Sequence, residues 1–259
     1  SSMLADDSVD IFNDGKHVDV VIVDDLVSYD CEDWNSPSTG QNRFVSYQWY
    51  TELNQYVSSI DDDSVSLPTG GHTYPQNINN TNDYHGTHVA GTVAGQFYGW
   101  AREANIYALQ VLGGGPNSLL IFDYLRAFHR NKPVNPITGK RNPTITNHSW
   151  GFYIDLEENF TNGWSISDFN YVNWDQVNYN ATNPNPSGWT MNGLLQDFGI
   201  KSTPQKIPGD YAALRADIDD AIDDGIVVIG AAGNDNHYHV PIGHPSWNNR
   251  VGINNGYYW

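Results

Sequence analysis

Val18-Asp19-Val20-Val21-Ile22-Val23, closed by Asp24-Asp25, is a β-branched run with acid at its end. Such a run suits a strand covered on both faces, as strands of parallel sheets are. Working outward, His85 to Gln96 is rich in small residues, with Val89 and Val93 four apart, and predicts a closely packed helix. Asn105 to Leu112 is strand-like, and Gly113-Gly114-Gly115-Pro116 then breaks the chain. A helix follows from about Asn117 to Arg130, with Leu120, Ile121, Tyr124, Leu125 and Phe128 at helical spacing. Thr144 to Asn147 is a short strand. Tyr211 to Asp224 places Leu214, Ile218, Ala221 and Ile222 on one helix face, ends at Gly225, and leads into a strand over Ile226 to Ala231. Strands alternating with helices predict an α/β fold built on a doubly wound, mostly parallel sheet. Two polar and aromatic stretches, 33–81 and 152–208, interrupt that rhythm and are expected to be loops or insertions with local packing.

The chain has 259 residues, with 12 Lys+Arg against 30 Asp+Glu and a net charge of -18. That length suits one large core. The charge disfavours nucleic acid and anionic membrane surfaces as partners, because both require basic patches. No apolar run approaches the roughly 20 residues that span a bilayer. The lone Cys31 cannot form a disulfide within the chain and is expected to be a small, partly buried residue, since Asp30, Glu32 and Asp33 would raise a thiol pKa. Scarce Lys, many Asn and Asp, 9 Trp and 16 Tyr suit an extracellular setting.

Asp24 sits at the C-terminal end of a buried parallel strand, where α/β sheets place their sites, and can hold a histidine in one tautomer. The plain alternative is that Asp24 or Asp25 caps a loop. His85, at the start of a Gly/Ala-rich helix, favours the first reading. Four segments, taken in order, carry a more specific signal. They are Val20-Val21-Ile22-Val23-Asp24-Asp25, His85-Gly86-Thr87-His88-Val89-Ala90-Gly91-Thr92, Asn147-His148-Ser149-Trp150-Gly151 and Val228-Ile229-Gly230-Ala231-Ala232-Gly233-Asn234. Together they resemble the subtilisin-like serine proteases, the subtilase family. The resemblance runs over Val18 to about Trp34, Asn82 to Gly151 and Ile207 to about Gly256.

The resemblance implies a subtilisin-like fold and peptide-bond hydrolysis on a polypeptide substrate. It makes His85 the general base, Asp24 its partner and Asn234 an oxyanion-hole donor, and leaves His88 structural. It lays an extended substrate between Ser149-Trp150-Gly151 and an opposite edge at Leu112-Gly113-Gly114-Gly115, as an added strand. No cofactor is implied for catalysis. Structural calcium is common in the family, and Asp61 to Asp63 form an acidic loop without assigned ligands.

The sequence departs from the family in three places. No Gly-Thr-Ser-Met-Ala-type segment follows Asn234, and the one serine beyond it, Ser246 in His244-Pro245-Ser246-Trp247, resembles the approach to a further sheet strand near Val251-Gly252-Ile253. The expectation is a single subtilase-like domain over 1–259, incomplete at its C-terminus, whose nucleophile comes from a downstream or separate segment. The alternatives are substitution by another residue, or an inactive binding or structural module of an extracellular or virion-type assembly. Leu26 stands where the family usually has Gly, so the aim of Asp24 is expected to be disturbed. The insertion after Gly151 begins beside the expected substrate strand. A metallohydrolase built on His85 and His88, or on His237, His239 and His244, is the rival chemistry, but zincin helices space their histidines four apart with Glu after the first.

Overall fold

The β-branched run forms β1, Asp19–Asp24, and all six residues are buried. In the computed structural model the described residues are 13–60, 65–69, 85–112, 115–151, 153–155, 169–180, 182–184, 186–188, 190–199, 206–208, 211–234, 240–247 and 249–253. The chain separates into two compact units, Ser1–Trp150 with Ala213–Ala231, and Gly151–Ala212 with Ala232–Trp259.

In the first unit β1 is followed by α1 (Trp49–Val57), α2 (His85–Ala94), β2 (Asn105–Gln110), α3 (Ile121–Asn131), β3 (Thr144–His148), α5 (Ala212–Asp223) and β8 (Val227–Gly230). The strands form a parallel sheet in the order β2-β1-β3-β8. The period-two alternation of a strand explains how β1 feeds two cores. Val21 and Val23 join Trp49 and Leu53 of α1, Tyr124, Leu125 and Phe128 of α3, and Leu214 and Ala221 of α5. Val20 and Ile22 face the other way, toward Ala90 and Ala94 of α2 and toward Leu26, Val27 and Trp34. Each fully buried Val or Ile of this run stabilises the fold by about 1.5–3 kcal/mol relative to exposure. The sheet is therefore covered on both faces, as the doubly wound reading requires.

Three details differ from expectation. Residues 49–57, placed within a loop by the sequence reading, form a core helix. Trp49, Tyr50, Leu53 and Val57 lie on its buried face, and the Trp49 indole donates to the Ala108 carbonyl at 2.7 Å. The intervening Thr51, Glu52, Asn54 and Gln55 disguise that spacing. In α2 the residues pressed inward are Gly86, Ala90 and Ala94, whereas Val89 and Val93 are partly buried. Small side chains four apart let the helix lie close to the sheet. In α5 Leu214 and Ala221 are buried, but Ile222 is 50% exposed and Asp217 is buried instead. At 3.6 residues per turn Ile222 lies about 80° from Leu214 and Asp217 about 60° to the other side, so the buried stripe is centred away from Ile222. Gly225, at φ 94°, ends the helix as expected. Beyond it Ile226 is buried, while Val227 and Ile229 of β8, the last strand in the sheet order, are each nearly half exposed.

The second unit holds β4 (Tyr153–Asp155), β5 (Phe169–Trp174), β6 (Val177–Tyr179), α4 (Met191–Phe198), β7 (Lys206–Pro208) and β9 (Arg250–Ile253). β4 pairs antiparallel with β7, and β6-β5-β9 form an antiparallel sheet. α4 is capped by Thr190, whose hydroxyl accepts the Gly193 amide, and stopped by Gly199 at φ 70°. Phe198 packs against Trp174 and Tyr179, and Val172 and Leu194 are buried, so this unit has local packing of its own. The strand expected near Val251-Gly252-Ile253 exists, but it extends the antiparallel sheet through Val172 opposite Val251 and does not join the parallel one. No described helix is long and apolar enough to cross a membrane.

Candidate active site

β1 lies between β2 and β3, so the direction in which the sheet is built reverses at β1. In open parallel sheets, ligands bind at such a switch point, beyond the carboxyl ends of the strands. Asp24 is the last residue of β1, opposite Gln110 at the end of β2, and its neighbour Val23 is opposite His148 at the end of β3. His85 opens α2 at this same edge. Its Nδ1 lies 2.7 Å from Asp24 Oδ1. The Asp24 side chain is fully buried, whereas that of His85 is 56% exposed. A carboxylate accepting from Nδ1–H fixes the tautomer that leaves Nε2 as the basic nitrogen, on the opposite side of an accessible ring.

Electrostatics follow from the contact. The hydrogen bond to Asp24 is the largest influence on His85 and outweighs the opposing desolvation, so that together with the charges of Asp24 and Asp25 it holds the His85 pKa above the usual histidine value. Asp24 Oδ1 also accepts the Asp25 amide at 2.8 Å, and Oδ2 is buried without a hydrogen-bond partner among the described residues.

Leu26 does not disturb this arrangement. Its φ is not positive, and its side chain is 7% exposed in the apolar cluster on the α2 face. Hydrophobic anchoring replaces the conformational freedom of the expected Gly, and Asp24 still reaches His85.

The remaining candidates are placed less tightly. Ser149 is half-buried and its hydroxyl donates to Asn147 Oδ1 at 2.9 Å. Trp150 donates its indole N–H to the Val23 carbonyl at 2.7 Å and meets the His148 ring edge-on, so it ties the end of β3 to the end of β1. Sequence reasoning assigned Trp150 to the substrate edge and missed this tie. Gly151 is exposed, with open space where a Cβ would point. Gly113 and Gly114 lie outside the described residues. A Cβ on Gly115 would collide with the Gln110 carbonyl, so a glycine is required there by close backbone approach. Asn234 is exposed and follows Gly233, whose φ is 81°, in the second unit. Ser246, half-buried in a turn, donates its amide to His244 Nδ1.

His88 is exposed, one turn beyond His85, and its carbonyl accepts the Thr92 hydroxyl. No group of three or more His, Cys, Asp or Glu suited to a metal ion occurs among the described residues. Asp61 to Asp63, His237 and His239 lie outside them. Cys31 is a free thiol of intermediate burial, against the α2-side cluster.

Fold and site together define an α/β protein with a carboxylate–imidazole pair at the switch point of a parallel sheet. Residues 15–255 match the sequence model of peptidase S8, the subtilase family, and the chain belongs to that family. Over 54 residues, 20% of this chain, it is 48% identical to a protein named subtilisin-like protease 5 from Arthroderma gypseum, and 46% identical to those of Arthroderma otae and Trichophyton tonsurans. Each of these matches spans 14% of the relative's length. Among solved structures, the CspB protease of Clostridium perfringens is similar over 54% of this chain and 30% of its own, with 20% identity and a TM-score of 0.35.

Proposed function

We propose that this chain carries the acid–base half of a serine endopeptidase site that hydrolyses peptide bonds, with the nucleophilic serine supplied by a downstream or separate segment. One observation supports it above the others: an accessible His85 ring bonded through Nδ1 to a wholly buried Asp24. In this reading Nε2 of His85 takes the proton of the attacking hydroxyl and later delivers it to the leaving amine. Asp24 holds the tautomer and stabilises the imidazolium without itself being protonated. Asn234 donates its side-chain amide to the developing oxyanion. In subtilisin, removing such a donor slows turnover about 10²–10³-fold. The edges at Gly113-Gly114-Gly115 and Ser149-Trp150-Gly151 receive an extended polypeptide. Net charge of -18 favours cationic substrate segments, an attraction that salt screens. The reaction needs no cofactor, and the low-Lys, Asn-rich composition suits secretion.

The test is an intact mass of the protein purified from its natural source, followed by labelling with a serine-directed fluorophosphonate. Labelling that disappears in His85→Ala supports the proposal. A product that ends at Trp259, binds no second chain and takes no label overturns it in favour of an inactive subtilase-like binding module.

A further inference from the structure

We propose that Asp25 is a positioning residue for the acid–base pair, joined by its backbone to Asp24 and by its side chain to the helix that carries His85. This rests on the reading of Asp24 and His85 as that pair. The Asp25 amide donates to Asp24 Oδ1, the oxygen that His85 Nδ1 also meets. The Asp25 carboxylate in turn accepts the Gly86 amide at 2.5 Å. Hydrogen bonds and chain thus close a ring through Asp24, Asp25, Gly86 and His85.

The position of that bond gives it leverage. Amides in the first turn of a helix have no acceptor within the helix, and a carboxylate there is favoured by the helix dipole. Gly86 is in that first turn. A Cβ on it would stand 2.7 Å from Asp25 Oδ1, 3.0 Å from the Leu26 carbonyl and 3.2 Å from Val27 Cγ2, so the approach of the carboxylate depends on the missing side chain. A second tie runs parallel to the first: Thr87 Oγ1 accepts the Ser28 amide at 2.9 Å and reaches the Leu26 carbonyl at 3.5 Å. His85 itself is largely exposed and has little packing to hold its ring. Its aim at Asp24 comes from the backbone under it, and a displacement of about 1 Å at such a centre costs on the order of 10²-fold in rate.

The experiment uses NMR of the chain itself and needs no proteolytic activity, so it stands apart from the labelling test. In the wild type, the Gly86 amide is expected to exchange at least about 10-fold more slowly than an open first-turn amide, as a charge-assisted bond implies. Asp25→Ala should abolish that protection and the downfield Nδ1–H signal of His85, while His129 and His148 signals stay in place. Asp25→Asn, which keeps an acceptor oxygen, should restore both but move the His85 titration to lower pH, because one of the two charges acting on it, Asp24 and Asp25, is gone. An unprotected Gly86 amide in the wild type overturns the proposal whether or not Asp25→Ala folds. So does an Asp25→Ala protein with the wild-type His85 signal and titration, or an Asp25→Asn protein as impaired as Asp25→Ala.

Discussion

Two glycines of one helix provide a test in which the sign of the effect is set by space alone. Gly86→Ala and Gly91→Ala both replace the poorest helix former but one by the best, a gain of about 0.8–1.0 kcal/mol in α2 wherever the methyl fits. At Gly91 the new Cβ would find one neighbour, Asp33 Oδ2, at 3.5 Å, an ordinary contact. At Gly86 it would meet Asp25 Oδ1 at 2.7 Å and the Leu26 carbonyl at 3.0 Å. Overpacking of that kind costs about 1–3 kcal/mol. Driving the carboxylate off the Gly86 amide removes a hydrogen bond to a charged group, a further loss of about 1.5–3 kcal/mol. After the propensity gain, Gly86→Ala should be destabilised by about 1.5–5 kcal/mol, and Gly91→Ala stabilised by up to about 1 kcal/mol. Thermal unfolding reads both, at about 2–4 °C per kcal/mol for a chain of this size class. Equal melting temperatures, or a Gly86→Ala protein as stable as Gly91→Ala, would falsify the close approach of β1, its following loop and α2 on which the site depends.

Three further outcomes follow from the structure. Asp24→Asn should lower the His85 pKa in an NMR titration. Because the folded-state value is raised, the stability this bond contributes is present below the unfolded value near 6.5 and is lost as pH rises through the folded one, and Asp24→Asn should flatten that dependence. His148, stacked on Phe122 and 5% exposed, is pushed down to about 4 by burial. Between pH 6.5 and 4 the unfolded chain binds a proton that the native state refuses, so stability falls with pH by about 3 kcal/mol over that window. Denaturant titrations at both ends should show His148→Phe abolishing most of the loss. Lys132, 1% exposed, donates to Asp19 Oδ2 and Thr144 Oγ1, each at 2.7 Å. Lys132→Met should cost about 3–5 kcal/mol by stranding a buried carboxylate, with Lys132→Met/Asp19→Asn recovering much of it; a double variant no better than the single would refute that account.

Much of this was legible in residues 18–24 and in the helical spacing of 120–128. Both patterns are dense in apolar side chains, and all the residues named for them from Asp19 to Asp24 and from Leu120 to Phe128 are buried, with Val18 partly so. α1 was harder to read because its four buried residues are separated by polar ones and its neighbourhood is rich in turn formers. β9 was recognised as a strand, but strand pairing is a long-range choice that local pattern does not encode, and it pairs with β5.

The site divides in the same way. Sequence by itself determined which groups stand at the strand end and at the helix start, because a buried β-branched run ending in Asp24 and a small-residue helix opening with His85 have few other readings. Only the tertiary structure decided that Leu26 is harmless, since its backbone conformation and its burial beside α2 are set by packing. It also decided that Trp150 ties β3 to β1 and that Asp25 meets the Gly86 amide. Those contacts join residues 61 and 127 positions apart, and their existence depends on distances that appear only once the sheet has brought its strand ends together.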